Sequence, residues 1–405
     1  MRVTTLLNKL INLQGLWICG AHFAEGAMVL PIRRTFQLLT CPRCRHRKRG
    51  RESTQLRRWR HMSIWGMEVW LEGEIRRMRC GSCKAVVTEA VPWARHNSDF
   101  TRPFEDAVAL LAQETSKTAV AELTGIAWET VGKIAERIVV EKLDPSRLSG
   151  GIRIGVDEIS FRKRHRYLTV VTDHDRGRVV WVAEGKSSAV LKNFFTEIGR
   201  EACERIEVVT MDMSAAYRKA VTEAVPNAQI VFDHFHLANL ANEALNEVRR
   251  GLVRSAAATD AGVVIKRTRW PLQHRMDNAN EKHMAVLAKL RPDQPPGRGY
   301  LLKENFLDIL RLTVRQPEIA LRRWLAWAAR SRLKPFVKMA RTVRGHIDGV
   351  MALLHRRVSN GLAEGTNNKI RLLIHRAYGF HSASPIIAMI YLCCAGITLP
   401  HLQLV

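Results

Sequence analysis

The chain has 405 residues, 46% of them hydrophobic, which is enough for roughly two to four domains with buried cores. Its 64 Lys and Arg against 38 Asp and Glu leave a net charge of +26 and a pI near 10.4, which argues against a small neutral ligand as main partner and for a polyanion, nucleic acid first. The basic residues are spread along the chain and not gathered on one amphipathic helix, so a membrane surface is the weaker alternative.

At the N-terminus, Asn8, Lys9 and Asn12 interrupt the apolar residues, which makes a poor signal peptide and leads us to expect a cytoplasmic, nucleoid-associated protein. Short apolar segments up to about residue 40 read as a β-rich lead-in. Two knuckles follow, Cys41-Pro-Arg-Cys44 and Cys80-Gly-Ser-Cys83. Each offers two thiolates on a tight turn, and together they complete the tetrahedral set of a structural Zn²⁺ with no open position. The spacer between the pairs is longer than in a compact finger and leaves room for a hairpin. Cys19, Cys203, Cys393 and Cys394 lack such pairing and are expected to pack as small apolar groups. Arginines from Arg43 to Arg60, with Trp59, Trp65 and Trp70 interleaved, suit a DNA-gripping surface, although a solvated charged loop would look the same.

From Phe104 to Glu141 the apolar period is helical. Lys117–Leu123, the turn Thr124-Gly125-Ile126 and Trp128–Val139 have the layout of a helix-turn-helix; a plain helical hairpin is the alternative. The recognition helix then starts at Trp128, with Trp128, Glu129, Thr130 and Lys133 as the residues expected to meet DNA. A linker around Asp144-Pro145 and Ser149-Gly150 separates this part from three closely spaced strands, Ile152–Phe161, Tyr167–Asp173 and Val179–Glu184. Helix, strand, helix and strand come next, ending in Asp233-His234-Phe235-His236, so a mixed sheet with helices packed on it is expected. Residues 238–350 read as a helical, Arg- and Trp-rich insertion broken by one Pro/Gly loop at Arg291–Tyr300. Ile386–Leu399 is apolar but shorter than the roughly 20 residues of a membrane span, and reads as a buried helix.

Three acids stand out. Asp157 ends an apolar strand (GIRIGVDEIS), Asp212 ends a second (IEVVTMDM), and Glu364 sits in a helical stretch (NGLAEGTNNKIRLL). Carboxylates from separate elements can hold two Mg²⁺ or Mn²⁺ ions, which prefer hard oxygen ligands and serve phosphoryl chemistry. Glu158 should face away from Asp157; Asp233, His234 and His236 read as a supporting cluster; Asn367 or Asn368, one turn from Glu364, can orient it or touch the DNA backbone.

CPRC and CGSC, TAVAELTGIAWETVGKI, GVDEIS, VTMDMS, FDHFH and NGLAEGTNNKIR occur in this order along nearly the whole chain. In them the sequence resembles the DDE transposases of bacterial insertion sequences, the ISL3 family. The resemblance implies an α/β fold with an RNase H-like catalytic core and an all-helical insertion, preceded by a zinc ribbon and a helix-turn-helix. It puts the catalytic triad on Asp157, Asp212 and Glu364. The expected domains are 1–100 (zinc-binding), 101–148 (helix-turn-helix), 149–237 (catalytic core, first part), 238–350 (helical insertion) and 351–405 (core, last part). The implied activity is Mg²⁺-dependent cleavage at terminal inverted repeats and strand transfer into target DNA. Its partners would be double-stranded DNA and a second copy of the chain, with no membrane and no small-molecule substrate. The rival readings are a catalytically inactive DNA-binding regulator and a non-transposing RNase H-like nuclease.

Overall fold

A computed structural model describes the chain except residues 1, 150–151, 163–165, 256–267, 357–360, 378–379, 381 and 401–405, and only the backbone of 356 and 361–364. The chain divides into two compact units, residues 1–144 with 372–405, and residues 145–371.

The first unit opens with a helix, α1 (Val3–Ile11), where the apolar spacing had suggested strands only. The Asn8 side chain ties it to the sheet, accepting from the Ile18 N–H at 2.8 Å and donating to the Ile18 carbonyl at 3.0 Å. Strands β1 (Leu16–Ile18), β2 (His22–Ala24), β3 (Ala27–Arg34), β4 (Leu39–Thr40), β5 (Arg47–Lys48), β6 (Ser53–Ile64), β7 (Met67–Arg79) and β8 (Val86–Thr88) follow. The main sheet runs β1-β3-β7-β6, with β2 also on β3 and β8 on β7, while β4 and β5 pair apart. The long spacer between the cysteine pairs is thus the β6–β7 hairpin. Its turn, Trp65-Gly66, takes positive φ at both positions, 48° and 78°, the geometry whose twist matches the flanking strands.

Packing against the core corrects the expected aromatic surface. Trp59 points inward and meets Trp93 edge-on at 5.5 Å, and Arg60 is buried beside Glu68, whereas Trp65 is fully exposed. Cys19 also departs from expectation, being exposed, while Cys203, Cys393 and Cys394 are buried.

Helices α2 (Arg102–Glu114), α3 (Lys117–Thr124) and α4 (Trp128–Lys142) complete this unit together with the C-terminal helix (Ala383–Cys394). Thr101 and Ser116 cap α2 and α3 by accepting from the N–H groups of Phe104 and Ala119. Gly125, at φ 69°, ends α3 in the left-handed conformation that glycine adopts without strain. Buried Glu105 of α2 accepts from Arg95 at 3.1 Å, Arg137 at 2.8 Å and Ser98 at 2.7 Å, so the loop after β8, α2 and α4 are joined by charge-assisted bonds. The apolar C-terminal helix packs on α4 and α2, and Gln113 donates to the carbonyls of Leu392 (2.7 Å) and Ile397 (3.1 Å). Residues 372–400 therefore cluster with the first unit.

The second unit is built on β9 (Arg153–Arg162), β10 (Arg166–Asp173), β11 (Arg178–Glu184), β12 (Val208–Met211) and β13 (Gln229–Phe232). β9, β10 and β11 form the antiparallel meander read from the sequence; β12 pairs parallel to β9 and β13 parallel to β12, giving the order β11-β10-β9-β12-β13. This mixed sheet has the strand order and directions of an RNase H-like core. Helices α5 (Ser188–Ile198), α6 (Arg200–Arg205) and α7 (Ala215–Ala224) connect its strands.

The insertion comprises α8 (His234–Ser255), α9 (Arg269–Gln273), α10 (Glu281–Leu287), α11 (Pro295–Leu310), α12 (Pro317–Arg330) and α13 (Lys334–Gly345). α8, α11, α12 and α13 pack neighbour on neighbour around Phe306 and Trp324, whose rings lie 4.5 Å apart. The Pro/Gly stretch is only in part a loop: α11 starts at Pro295, since proline at a first helical position gives up no hydrogen bond. Helix α14 (Ile347–Arg356) returns the chain to β13, where Gly349 lets the helix lie against the ring of Phe232; any Cβ there would collide with it. Helix α15 (Gly361–Arg376) follows.

Candidate functional site

The four cysteines converge. Their sulfurs all lie within 4.8 Å of one another, with Cys41–Cys83 at 3.8 Å and Cys44–Cys80 at 3.4 Å. A tetrahedral zinc with bonds of about 2.3 Å sets its sulfurs about 3.8 Å apart, so the donor set fits that ion. The two knuckles share one backbone design. Arg45 and Lys84 follow the second cysteine of each at φ 60°, and their N–H groups return to the carbonyls of Cys41 and Cys80 at 3.0 and 3.1 Å. The His46 N–H and the Cys80 thiol pull the Cys44 thiol down to about 6, while at Cys83 the Ala85 N–H is outweighed by the neighbouring thiols, which push it up to about 11, so the fit to the ion rests on the geometry of the four sulfurs.

At the sheet, register explains how the acids meet. β12 pairs with β9 at Thr210–Gly155 and with β13 at Met211–Phe232. Asp157, expected at a strand end, stands in the middle of β9, two positions past Gly155; Asp212 is two past Thr210 and Asp233 one past Phe232, so the three aspartates stand at one level on neighbouring strands, the last two just beyond the ends of theirs. Adjacent strands are about 4.8 Å apart, close enough for the carboxylates to act on one another. Burial holds the Asp157 carboxyl above the usual carboxylate range, and the charges of Asp233 and Asp212 push the same way. Gly155 leaves room for its neighbours, since a Cβ there would lie 2.7 Å from both the His174 ring and the Thr172 hydroxyl.

Each carboxylate is oriented by backbone. Asp157 Oδ1 accepts from the Glu158 N–H at 2.7 Å, Asp212 Oδ1 from Ser214 at 3.0 Å, and Asp233 Oδ1 from Phe235 at 3.0 Å. His236 Nε2 lies 3.8 Å from Asp233. The second oxygen of Asp157 accepts from the Asn367 side-chain amide of α15. Glu158 belongs to the other side of the strand: its cross-strand neighbour Thr169 meets the Tyr217 hydroxyl of α7 at 2.8 Å. The Glu364 backbone is part of α15, one turn before Asn367, and its side chain lies outside the described residues. Sequence reading placed Asn367 near Glu364 and missed its bond to Asp157. The signal lay in the three-residue spacing from Glu364, which puts both on one helical face.

On the helix-turn-helix, Glu129 and Lys133 are exposed and Thr130 half-exposed. Trp128 is half-buried, with the Lys117 ammonium 3.5 Å above its ring. Among the described residues no helix is long and apolar enough to cross a membrane.

A thiolate cluster and a helix-turn-helix on one unit, with carboxylates level on neighbouring strands of a mixed sheet on the other, define a DNA-acting protein of the transposase class. Residues 154–390 match a transposase domain model of the ISL3 group, 89–139 the helix-turn-helix domain of transposase family ISL3, and 37–83 the zinc-finger of transposase IS204/IS1001/IS1096/IS1165. The chain is 37% identical to the transposase for insertion sequence element IS1557 of Mycobacterium tuberculosis, across 92% of this chain and 90% of that one. It is 28% identical to the transposase for insertion sequence element IS1001 of Bordetella parapertussis, across 93% and 94%. The chain belongs to the ISL3 family of insertion-sequence transposases, and is thus an enzyme acting on DNA.

Proposed function

We propose that this transposase cleaves the 3′ ends of an insertion element and joins them to target DNA at a site made by Asp157, Asp212 and Glu364. The carrying observation is the alignment of Asp157 and Asp212 on adjacent parallel strands, with Asn367, one turn past Glu364, bonded to Asp157. Two divalent cations suit this donor set, whose groups are hard oxygens, among them a buried amide oxygen of Asn367 without a partner among the described residues. Bound there, Mg²⁺ or Mn²⁺ would make the attacking hydroxyl more nucleophilic and offset charge on the leaving oxygen.

In the first step water attacks the phosphorus at the element end, the P–O3′ bond breaks, and a free 3′-OH leaves. In the second, that 3′-OH attacks a target phosphodiester in line, its proton passing to solvent as the target 3′ oxygen departs. The backbone N–H groups on Asp157 and Asp212 keep both carboxylates aimed, so the chain contributes positioning and no covalent intermediate. In the first unit Cys41, Cys44, Cys80 and Cys83 hold a structural zinc. Glu129, Thr130 and Lys133 face the DNA, and Trp128, stacked on Lys117, sets the start of the recognition helix.

Cleavage of duplexes carrying the terminal inverted repeats, with Mg²⁺, tests the reading. Asp157→Asn, Asp212→Asn and Glu364→Gln should each lower the rate roughly 1,000-fold, about 4 kcal/mol in the barrier, with end binding nearly intact. A Glu364→Gln protein that cleaves at the wild-type rate would remove Glu364 from the triad and leave Asp233, level with Asp212, as the next acid to test.

A further inference from the structure

Asn367 is 7% exposed on the inward face of α15, alongside fully buried Ile370. Its Nδ2 donates to Asp157 Oδ2, while its Oδ1 has no partner among the described residues. A buried acceptor left unpaired is uncommon and implies a water or an ion. Turning the amide over would not help, because Oδ1 would then face a carboxylate oxygen, acceptor against acceptor. The orientation is therefore set by Asp157, and the free oxygen is held on the side away from that bond.

We propose that Asn367 is a positioning residue of the cation site, its amide N–H holding Asp157 and its carbonyl oxygen facing the hydrated divalent cation. This rests on the triad reading above. The position suits an amide: it lies beside Asp157, level with Asp212 and Asp233, where it can aim Asp157 and supply one more hard oxygen. The three-residue step sets positions 364 and 367 on one face of α15.

The test is a calorimetric titration of Mn²⁺ into the zinc-loaded full chain bound to a duplex of the terminal inverted repeat. Asn367→Ala should weaken Mn²⁺ binding about 10-fold at unchanged zinc content and melting midpoint. Asn367→Asp, which keeps an acceptor oxygen and loses the N–H, should bind Mn²⁺ within about 3-fold of wild type near neutral pH, where a carboxylate is ionised. Wild-type affinity in a folded Asn367→Ala protein would overturn the proposal, as would Asn367→Asp binding Mn²⁺ no better than the Ala variant. If Asn367→Ala does not fold, the Asp variant decides alone, and a 10-fold or greater loss in it overturns the proposal. Asp157→Ala separates the two levels of argument. Full Mn²⁺ affinity in that variant would refute the triad itself, whereas its loss beside unchanged binding in Asn367→Ala would refute only the role of Asn367.

Discussion

His61 sits on β6 with 7% of its surface exposed, its Nδ1 2.8 Å from the Thr101 hydroxyl that caps α2. Burial lowers its pKa from 6.5 to about 4, so the folded unit keeps the ring neutral. The sign follows from proton counting. Below pH 6.5 the unfolded chain binds a proton that the folded one refuses until about pH 4, so stability falls as pH falls through that window. At about 1.4 kcal/mol per unit the loss is on the order of 3 kcal/mol. Denaturation midpoints of the first unit should therefore drop between pH 7 and pH 5, and His61→Gln should flatten the dependence. A wild-type midpoint constant over that range would show that the ring is protonated in the fold. The same single-residue logic governs Trp59, whose neighbours along β6 are basic but whose side chain is core. Composition says what a segment contains, and packing decides which of it meets water: Trp59, Arg60 and His61 are buried in succession.

Among elements, α13 has an unbalanced surface. Its sequence KPFVKMARTVRG contains no acid; Phe336, Met339, Ala340 and Val343 are buried, and Lys334, Lys338 and Arg341 are exposed on the opposite side. Spacings of four and three residues align those three cations in one stripe. No ion pair engages them among the described residues. Such a stripe fits a run of phosphates, and its contribution is measurable as counterion release. Replacing all three with Gln should reduce the slope of log affinity against log salt by about 2 to 3, at roughly 0.9 per phosphate contact, equally for element ends and random duplex. An unchanged slope would mean that the stripe is only solvated.

For the whole molecule, the C-terminal helix has the largest consequence. Its residues Ile386, Met389, Ile390 and Leu392 are buried in the first unit against α2 and α4. A truncation keeping residues 145–405 would bare that apolar face, whereas one keeping 145–376 would not. The longer fragment should aggregate in gel filtration and the shorter one elute as a discrete species that binds DNA without preferring element ends. Preference for the ends retained by the shorter fragment would move sequence recognition out of the first unit. Monodisperse behaviour of the longer fragment would show that the helix finds other cover.

Local chemistry determined a large share of this protein. Cysteine spacing announced the thiolate cluster, helical periodicity broken at Gly125 marked the helix-turn-helix, and short apolar runs outlined the strands of the mixed sheet. These depend on residues close in the chain, where turn geometry and periodicity act directly. Pairing over long distances was not legible. That α1 precedes the first strands, that the apolar C-terminal helix covers α4, and that Asn367 bonds to Asp157, 210 positions away, follow from which surfaces exclude water together. Periodicity shows that a face is apolar and leaves its partner unnamed. Asp157, Asp212 and Asp233 could each be seen as a strand-end acid; only the register of two parallel pairings put them at one level, because hydrogen bonding between strands sets relative height and one chain segment carries no record of it.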